Sequence, residues 1–196
     1  TQAKILVADR GMVQLSTGDM LREVRASGSE LGKRFGEMMD RGDLIPDEMI
    51  IEMIDARLNE PDCRNGAIFD GFPRTNGQAV ALDEMLERKS LPLKAVIELT
   101  VDEEALVGRI TGRYSCANCG AGYHEIFQRP EVEGVCDACG HTEFKRRPDD
   151  NEQTVRDRME VYRRDTAPII PHYEAQGLVQ RVDGMADIAK VETAVA

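Results

Sequence analysis

The spacing of apolar and polar residues early in the chain predicts two consecutive helices. Ser16 followed by Asp19 is typical of a helix N-terminus, since each side chain can accept a hydrogen bond from the other residue's backbone N–H. Gly28 is placed to end this helix, and Ser29 to cap the next one. The second helix is expected to end near Gly42.

A third helix is predicted to begin near Pro46, because proline is favoured in the first turn of a helix. Its apolar residues recur at helical spacing: Met49, Ile50, Met53, Ile54 and Leu58. A stripe of this kind packs against a hydrophobic core. We therefore interpret it as core packing rather than as a contact with a cofactor.

Further along the chain, short apolar runs alternate with helical stretches. The runs that read as strands cover residues 67–69, 95–99 and 179–182, and the helical stretches cover residues 78–88, 102–111 and 186–194. Strands that alternate with helices are typical of a parallel sheet covered on both faces. The pattern predicts an α/β fold, a parallel sheet flanked by helices.

Residues 114–147 interrupt this alternation and are predicted to form a small insert between two core segments, 1–113 and 148–196. The insert holds two C-x2-C pairs that are sixteen residues apart: Cys116, Cys119, Cys136 and Cys139. This spacing suits a tetrahedral zinc site, and four protein ligands leave no open position for a substrate. We expect structural zinc, with disulfides or chance pairing as the weaker alternative.

The charge of the chain narrows the classes of partner. A formal net charge of −11 argues against nonspecific binding to nucleic acid, and no apolar run approaches the roughly 20 residues that a membrane span needs. The second half nevertheless concentrates arginines: Arg109, Arg113, Arg146, Arg147, Arg156, Arg158, Arg163 and Arg164. These arginines either focus positive potential on a small anionic ligand or form ion pairs with neighbouring carboxylates.

The segment AIFDGFPRT joins a predicted strand to a turn rich in polar residues. Asp70 ends the strand, where α/β sheets bind ligands, and its carboxylate suits a magnesium ion held through water. Gly71 permits close approach of the backbone, and Arg74 offers a planar fork to phosphate. Taken alone, the segment would favour a strand-to-helix turn with a surface arginine.

Four motifs together make the chain resemble adenylate kinases of the bacterial type with a long zinc-binding lid. They are STGDMLR (16–22), DGFPRT (70–75) with Gln78 beyond it, GRITGR (108–113) and RRPDDNEQTVRDRMEVY (146–162). The resemblance implies the fold of the P-loop nucleoside monophosphate kinases, in which the insert is a mobile lid. It also implies transfer of a phosphoryl group from ATP to AMP, Mg²⁺ with the nucleotide, and a cytoplasmic monomer.

The resemblance also implies roles for individual residues. For AMP these are Thr17, Arg22, Asp43, Leu44, Ile45, Gly71, Arg74, Gln78, Arg147 and Arg158. For ATP they are Arg109, Arg113, Gly122, Tyr123 and Ala186. The arginines implied in phosphoryl transfer are Arg74, Arg113, Arg147 and Arg158. The Phe72–Pro73 peptide bond is expected to be cis.

The family resembled here carries a strand and a glycine-rich phosphate loop ahead of the position of Thr1, and no other stretch of this sequence matches that loop. We expect the printed sequence to be incomplete at this point. A real loss of the strand would expose the edges of two neighbouring strands, and loss of the loop would leave little or no kinase activity.

Two kinds of alternative function stay open. Another nucleoside monophosphate kinase would use GTP as donor or UMP or CMP as acceptor, whereas Thr17 and the long insert favour AMP. A noncatalytic zinc-ribbon protein would bind nucleic acid, but residues 114–144 hold five acidic residues among few basic ones: Glu125, Glu131, Glu133, Asp137 and Glu143.

Overall fold

Helices and strands alternate along the chain in the computed structural model, which describes residues 2–195. The helices are α1 (Gln2–Arg10), α2 (Thr17–Ala26), α3 (Glu30–Arg41), α4 (Asp47–Leu58), α5 (Asn76–Arg88), α6 (Glu103–Thr111), α7 (Glu152–Val161), α8 (Ile170–Glu174) and α9 (Ile188–Val195). The strands are β1 (Val13–Ser16), β2 (Ala67–Asp70), β3 (Val96–Thr100), β4 (Arg113–Cys116), β5 (Gly122–His124), β6 (Phe144–Lys145) and β7 (Val179–Asp183). No helix within residues 2–195 is both long enough and apolar enough to span a membrane.

The core strands pair in parallel, which confirms the predicted α/β class. Strand β1 pairs with β2 from Val13 opposite Ala67 to Ser16 opposite Asp70. Strand β3 pairs with β7 in the same sense. The sequence pattern missed β1, because the strand is only four residues long, two of them are polar, and α2 follows it directly.

The two parallel pairs are not joined to each other within residues 2–195. A cleft of about 990 Å³ lies between them. Residues 66–69, most of which belong to β2, line one side, and residues 95–99, most of which belong to β3, line the other. The facing edges of β2 and β3 are therefore open in this part of the chain.

The predicted helix caps are confirmed. Ser16 Oγ accepts a hydrogen bond from the N–H of Asp19, and Ser29 Oγ accepts one from the N–H of Gly32. Gly42 ends α3 with a φ of 80°, a left-handed conformation that glycine adopts without strain. The chain is thereby turned sharply between α3 and α4, where residues 43–45 face the site described below.

The largest core cluster packs α2–α5 against β1 and β2. It contains the predicted stripe of α4, in which Ile50, Ile54 and Leu58 are buried and Met49 and Met53 pack partly buried against them. The stripe is thus confirmed as core. The Phe72–Pro73 peptide bond is cis, as expected.

The insert, residues 114–147, packs around its own small core. Strand β4 pairs antiparallel with β5 and with β6. Buried Cys116, Tyr123 and Cys136 pack there with the partly buried rings of Tyr114 and Phe144. The division of the chain into a core domain and a lid stays a prediction.

Ile54→Ala should lower the free energy of unfolding by about 2–5 kcal/mol, because the side chain is fully buried and its removal leaves a cavity. Chemical denaturation would measure this loss. The matched control is Glu52→Ala on the exposed side of the same helix, which should change stability by about 0.5 kcal/mol or less. Equal losses in the two variants would contradict this packing.

Candidate active site

A cavity of about 300 Å³ opens at the carboxyl ends of β1 and β2. All ten residues predicted to contact AMP line it: Thr17, Arg22, Asp43, Leu44, Ile45, Gly71, Arg74, Gln78, Arg147 and Arg158. Its volume is at the lower end of the range typical of small-molecule sites. The structure brings these residues together, and their role in binding AMP stays a prediction.

Five arginines from separate segments line this space, which we call the arginine cavity: Arg22, Arg74, Arg113, Arg147 and Arg158. They come from α2, the turn after β2, the start of β4, the segment before α7, and α7 itself. Five guanidinium groups against the three carboxylates that also line the cavity leave it an excess of positive charge. Of the eight arginines of the second half, three line this cavity, and seven of the eight form ion pairs with carboxylates, so both readings of the sequence apply.

Arg74 differs from its neighbours because no carboxylate of the described residues forms an ion pair with it. Its Nε donates a hydrogen bond to the backbone oxygen of Gly71 at 2.7 Å. Burial lowers the pKa of Arg74, and the nearby charges of Arg158 and Arg22 lower it further, against the opposing effect of Asp70. A phosphate would remove this penalty by supplying the missing negative charge.

Two buried carboxylates hold two of the other arginines. Arg158 pairs with Asp149, and Arg113 places two nitrogens on the carboxylate of Asp150. Burial is the largest single effect on the pKa of Asp149 and raises it, but the hydrogen bond and charge of Arg158, a backbone hydrogen bond and the charge of Arg22 together lower the pKa. The sequence reasoning missed both aspartates as site residues, although their position in RRPDD beside Arg147 was a usable signal.

Thr17 and Gln78 are the buried uncharged polar residues of the cavity. Thr17 Oγ1 donates a hydrogen bond to the backbone oxygen of Gly71 at 2.9 Å. Gln78 Oε1 accepts one from the N–H of Arg74 at 2.7 Å. Both side chains are therefore oriented before any ligand binds.

Asp70 lies on the exposed rim of the cavity, at the carboxyl end of β2. Gln14 Nε2 donates a hydrogen bond to Asp70 Oδ2 at 2.6 Å. An exposed carboxylate beside an anion-binding cavity fits a magnesium ion that keeps its water ligands. This role of Asp70 stays a prediction.

Of the residues predicted to bind ATP, only Arg113 lines the arginine cavity. Arg109 donates a hydrogen bond to the backbone oxygen of Gly184 at 2.8 Å, and Ala186 follows two residues later in the chain. The guanidinium carbon of Arg109 also lies 5.8 Å from the ring centre of Phe127, an exposed aromatic residue that the sequence reasoning missed. Nothing but its aromatic character in a polar insert distinguished Phe127 in the sequence.

Gly122 and Tyr123 lie on β5 of the insert. The side chain of Tyr123 is buried within the insert, and its hydroxyl donates a hydrogen bond to Cys136 Sγ at 3.3 Å. The same oxygen accepts the N–H of Asp137 at 2.8 Å. The ring of Tyr123 thus supports the cysteine cluster, and contact with ATP stays a prediction for this residue.

The four cysteines of the insert form one cluster, with all four sulfur atoms within 4.8 Å of one another. Cys116 and Cys139 Sγ are 3.6 Å apart, as are Cys119 and Cys136 Sγ. Tetrahedral zinc with Zn–S bonds of about 2.3 Å places sulfurs about 3.8 Å apart, so the donor set fits zinc. The hydrogen bond from Tyr123 lowers the pKa of Cys136 to about 6, which favours the thiolate that a metal requires.

Parallel strand pairs that end at an arginine-lined cavity, together with a four-cysteine insert, define an α/β protein with a site for a phosphate-bearing ligand. The family model for adenylate kinase matches residues 1–178. The chain is 60% identical to an adenylate kinase of Rhizorhabdus wittichii. The alignment covers the whole of this chain and 91% of the length of the relative.

Two further adenylate kinases show the same degree of similarity. The one from Zymomonas mobilis is 58% identical over the whole chain and 88% of the relative. The one from Rhizobium rhizogenes is 54% identical over 97% of the chain and 88% of the relative. The chain belongs to the adenylate kinase family.

Cys136→Ser should lower both the bound zinc, from about one ion per chain, and the thermal unfolding midpoint, because the insert has little apolar core of its own. Metal analysis and a thermal melt would measure the two effects. Cys63→Ser is the matched control, since Cys63 is buried in the main core outside the cluster. Full zinc content in Cys136→Ser would contradict the proposed ligand set.

Proposed function

We propose that this chain transfers the terminal phosphoryl group of ATP to AMP, giving two molecules of ADP. The observation that carries the proposal is the convergence of five arginines on one cavity, among which Arg74 has no carboxylate partner in the described part of the chain. Membership of the adenylate kinase family supports the same activity. The acceptor nucleotide would supply the anion that Arg74 lacks.

The chemistry of phosphoryl transfer explains why arginines dominate the site. The transferred group needs in-line positioning and neutralisation of charge on its oxygens, and little covalent help from the protein. Arg22 and Arg74 would hold the phosphate of AMP, and Arg113, Arg147 and Arg158 would hold the phosphates between the two nucleotides. Mg²⁺ bound with ATP would neutralise further negative charge, with Asp70 holding it through water.

The insert would act as a lid in this mechanism. Closure over the nucleotides would exclude water, which would otherwise accept the phosphoryl group. Because four cysteines fill a tetrahedral site, zinc would keep the insert rigid and take no part in transfer. Arg109 and the exposed ring of Phe127 would then face the donor nucleotide.

The buried polar pair Thr17 and Gln78 supports an acceptor that carries adenine rather than uracil. Both residues line the cavity, and their polar atoms are fixed by neighbouring backbone groups. A fixed amide reads the hydrogen-bonding edge of a base, and uracil presents its donor and acceptor in the opposite order to adenine. Cytosine presents the same order as adenine, so the preference for AMP over CMP rests on Thr17 and the long insert.

Arg74→Ala should lower kcat/KM by about 10²–10³ and weaken AMP binding, because it removes the cation that lacks an internal counterion. Steady-state kinetics and calorimetric titration with AMP would measure the two losses. Arg74→Lys should recover part of the affinity, since a lysine restores the charge without the planar fork.

Arg164→Ala is the control for removing an arginine, because Arg164 is exposed and pairs with Asp165. Its kinetics and AMP affinity should match those of the unmodified chain. Unfolding of Arg74→Ala in a thermal melt would show a structural role for Arg74 and would contradict the proposal.

Initial rates with AMP, UMP and CMP, each with ATP as donor, should rank AMP first. The same series with GTP as donor would test the donor site. AMP as the poorest acceptor would overturn the assignment in favour of another nucleoside monophosphate kinase. Salt-dependent binding of nucleic acid, with no binding of AMP, would favour a zinc-ribbon protein instead.

A further inference from the structure

Asp47 lies outside the set of predicted site residues but contacts one of them directly. It is a half-buried residue in the first turn of α4. Its Oδ1 accepts a hydrogen bond from Gln78 Nε2 at 2.7 Å, and its Oδ2 accepts one from Thr75 Oγ1 at 2.6 Å. Thr75 in turn accepts the N–H of Gln78, so Asp47 is tied to both the side chain and the backbone of Gln78.

The partners of Gln78 determine which way its amide points. The N–H of Arg74 can only donate, so the atom facing it at 2.7 Å must be the amide oxygen. A carboxylate can only accept, so the atom facing Asp47 must be the amide nitrogen. Rotation of the amide by 180° would break both hydrogen bonds at a residue that is only 2% exposed.

A fixed amide in this position can discriminate between bases. An amide carries two N–H groups and two acceptor positions, and these two contacts use one of each. Gln78 also lines the arginine cavity. One donor and one acceptor are therefore left to a ligand, in an order that Asp47 and Arg74 determine.

We propose that Asp47 is a specificity-determining residue that acts through Gln78: it fixes the amide in the orientation that suits the N1 and N6 edge of adenine. This inference rests on the proposed function, in which Gln78 faces the base of AMP. Adenine offers an acceptor at N1 and a donor at N6. Hypoxanthine has nearly the same shape but offers a donor at N1 and an acceptor at O6, so it requires the rotated amide.

Asp47→Ala should therefore bring the dissociation constants of AMP and IMP closer together by about tenfold, the size of one hydrogen bond's net contribution. A water molecule that replaces the carboxylate can donate as well as accept, so it no longer selects one orientation. The N–H of Arg74 still favours the original orientation, and the change is therefore partial. Calorimetric titration of the full chain with AMP and with IMP would measure the ratio.

Two further variants separate orientation of the amide from general damage. Asp47→Asn should reduce the discrimination as Asp47→Ala does while keeping the size of the side chain, because an asparagine amide can rotate to donate to Gln78 as well as accept from it. Glu48→Ala, which removes an exposed acidic residue from the same helical turn, should leave the ratio unchanged. Partial unfolding of Asp47→Ala would raise the apparent dissociation constants of AMP and IMP by the same factor, so their ratio still reports the discrimination of the folded state.

The outcomes distinguish this inference from the proposed function. Loss of discrimination in Gln78→Ala together with full discrimination in Asp47→Ala would overturn the role of Asp47 and leave the AMP site intact. Equal affinity of the unmodified chain for AMP and IMP, with no effect of Gln78→Ala, would overturn the placement of the base itself. Loss of discrimination in both Asp47→Ala and Asp47→Asn, with full discrimination in Glu48→Ala, would support the proposal.

Discussion

Mutual repulsion among guanidinium groups is the constraint on which the rest of this site depends. Two like charges 4 Å apart repel by about 4 kcal/mol at an effective dielectric constant of 20. The cavity offsets this repulsion unevenly: Asp149 and Asp150 pair with one arginine each, while Asp19 contacts both Arg22 and Arg147. Arg74 is left without a carboxylate partner among the described residues. A phosphate that reached Arg74 would therefore relieve a repulsion already present.

The same positive cavity has to be held open by contacts made outside it. Thr154 Oγ1 donates a hydrogen bond to the backbone oxygen of Asp40 at 3.0 Å, which joins α7 to the end of α3. Thr166 Oγ1 donates one to the backbone oxygen of Arg74 at 2.8 Å. The helical run that begins at α7 thereby fixes two walls of the cavity. Small hydroxyl contacts to backbone oxygens suit this task, because they add no charge to a site that is already crowded with charge.

Local sequence signals predicted the helices and strands of the fold. They could not predict which residues from distant parts of the chain contact one another. Capping by Ser16 and Ser29 and the stripe of α4 follow from spacing within one helix, and the structure confirms them. The ion pairs of Asp149 and Asp150 depend on which arginine lies opposite, and adjacent carboxylates in RRPDD carry no such information. The amide contact of Asp47 joins residues 31 positions apart. The motifs therefore predicted which residues line the cavity, whereas the residues that orient those side chains could be identified only in the structure.

The insert and the cavity are coupled through the points where the insert joins the core. Arg113 begins β4 at the entry to the insert, and Arg147 and Asp150 lie at or just beyond its exit. The pair Arg113–Asp150 thus closes the base of the insert, and the same arginine lines the cavity. A metal bound by the four cysteines would fix the interior of the insert, so any movement of the insert would carry both arginines with it. Rigidity supplied by zinc would in this way reach the phosphate site, although the cysteines line no part of it.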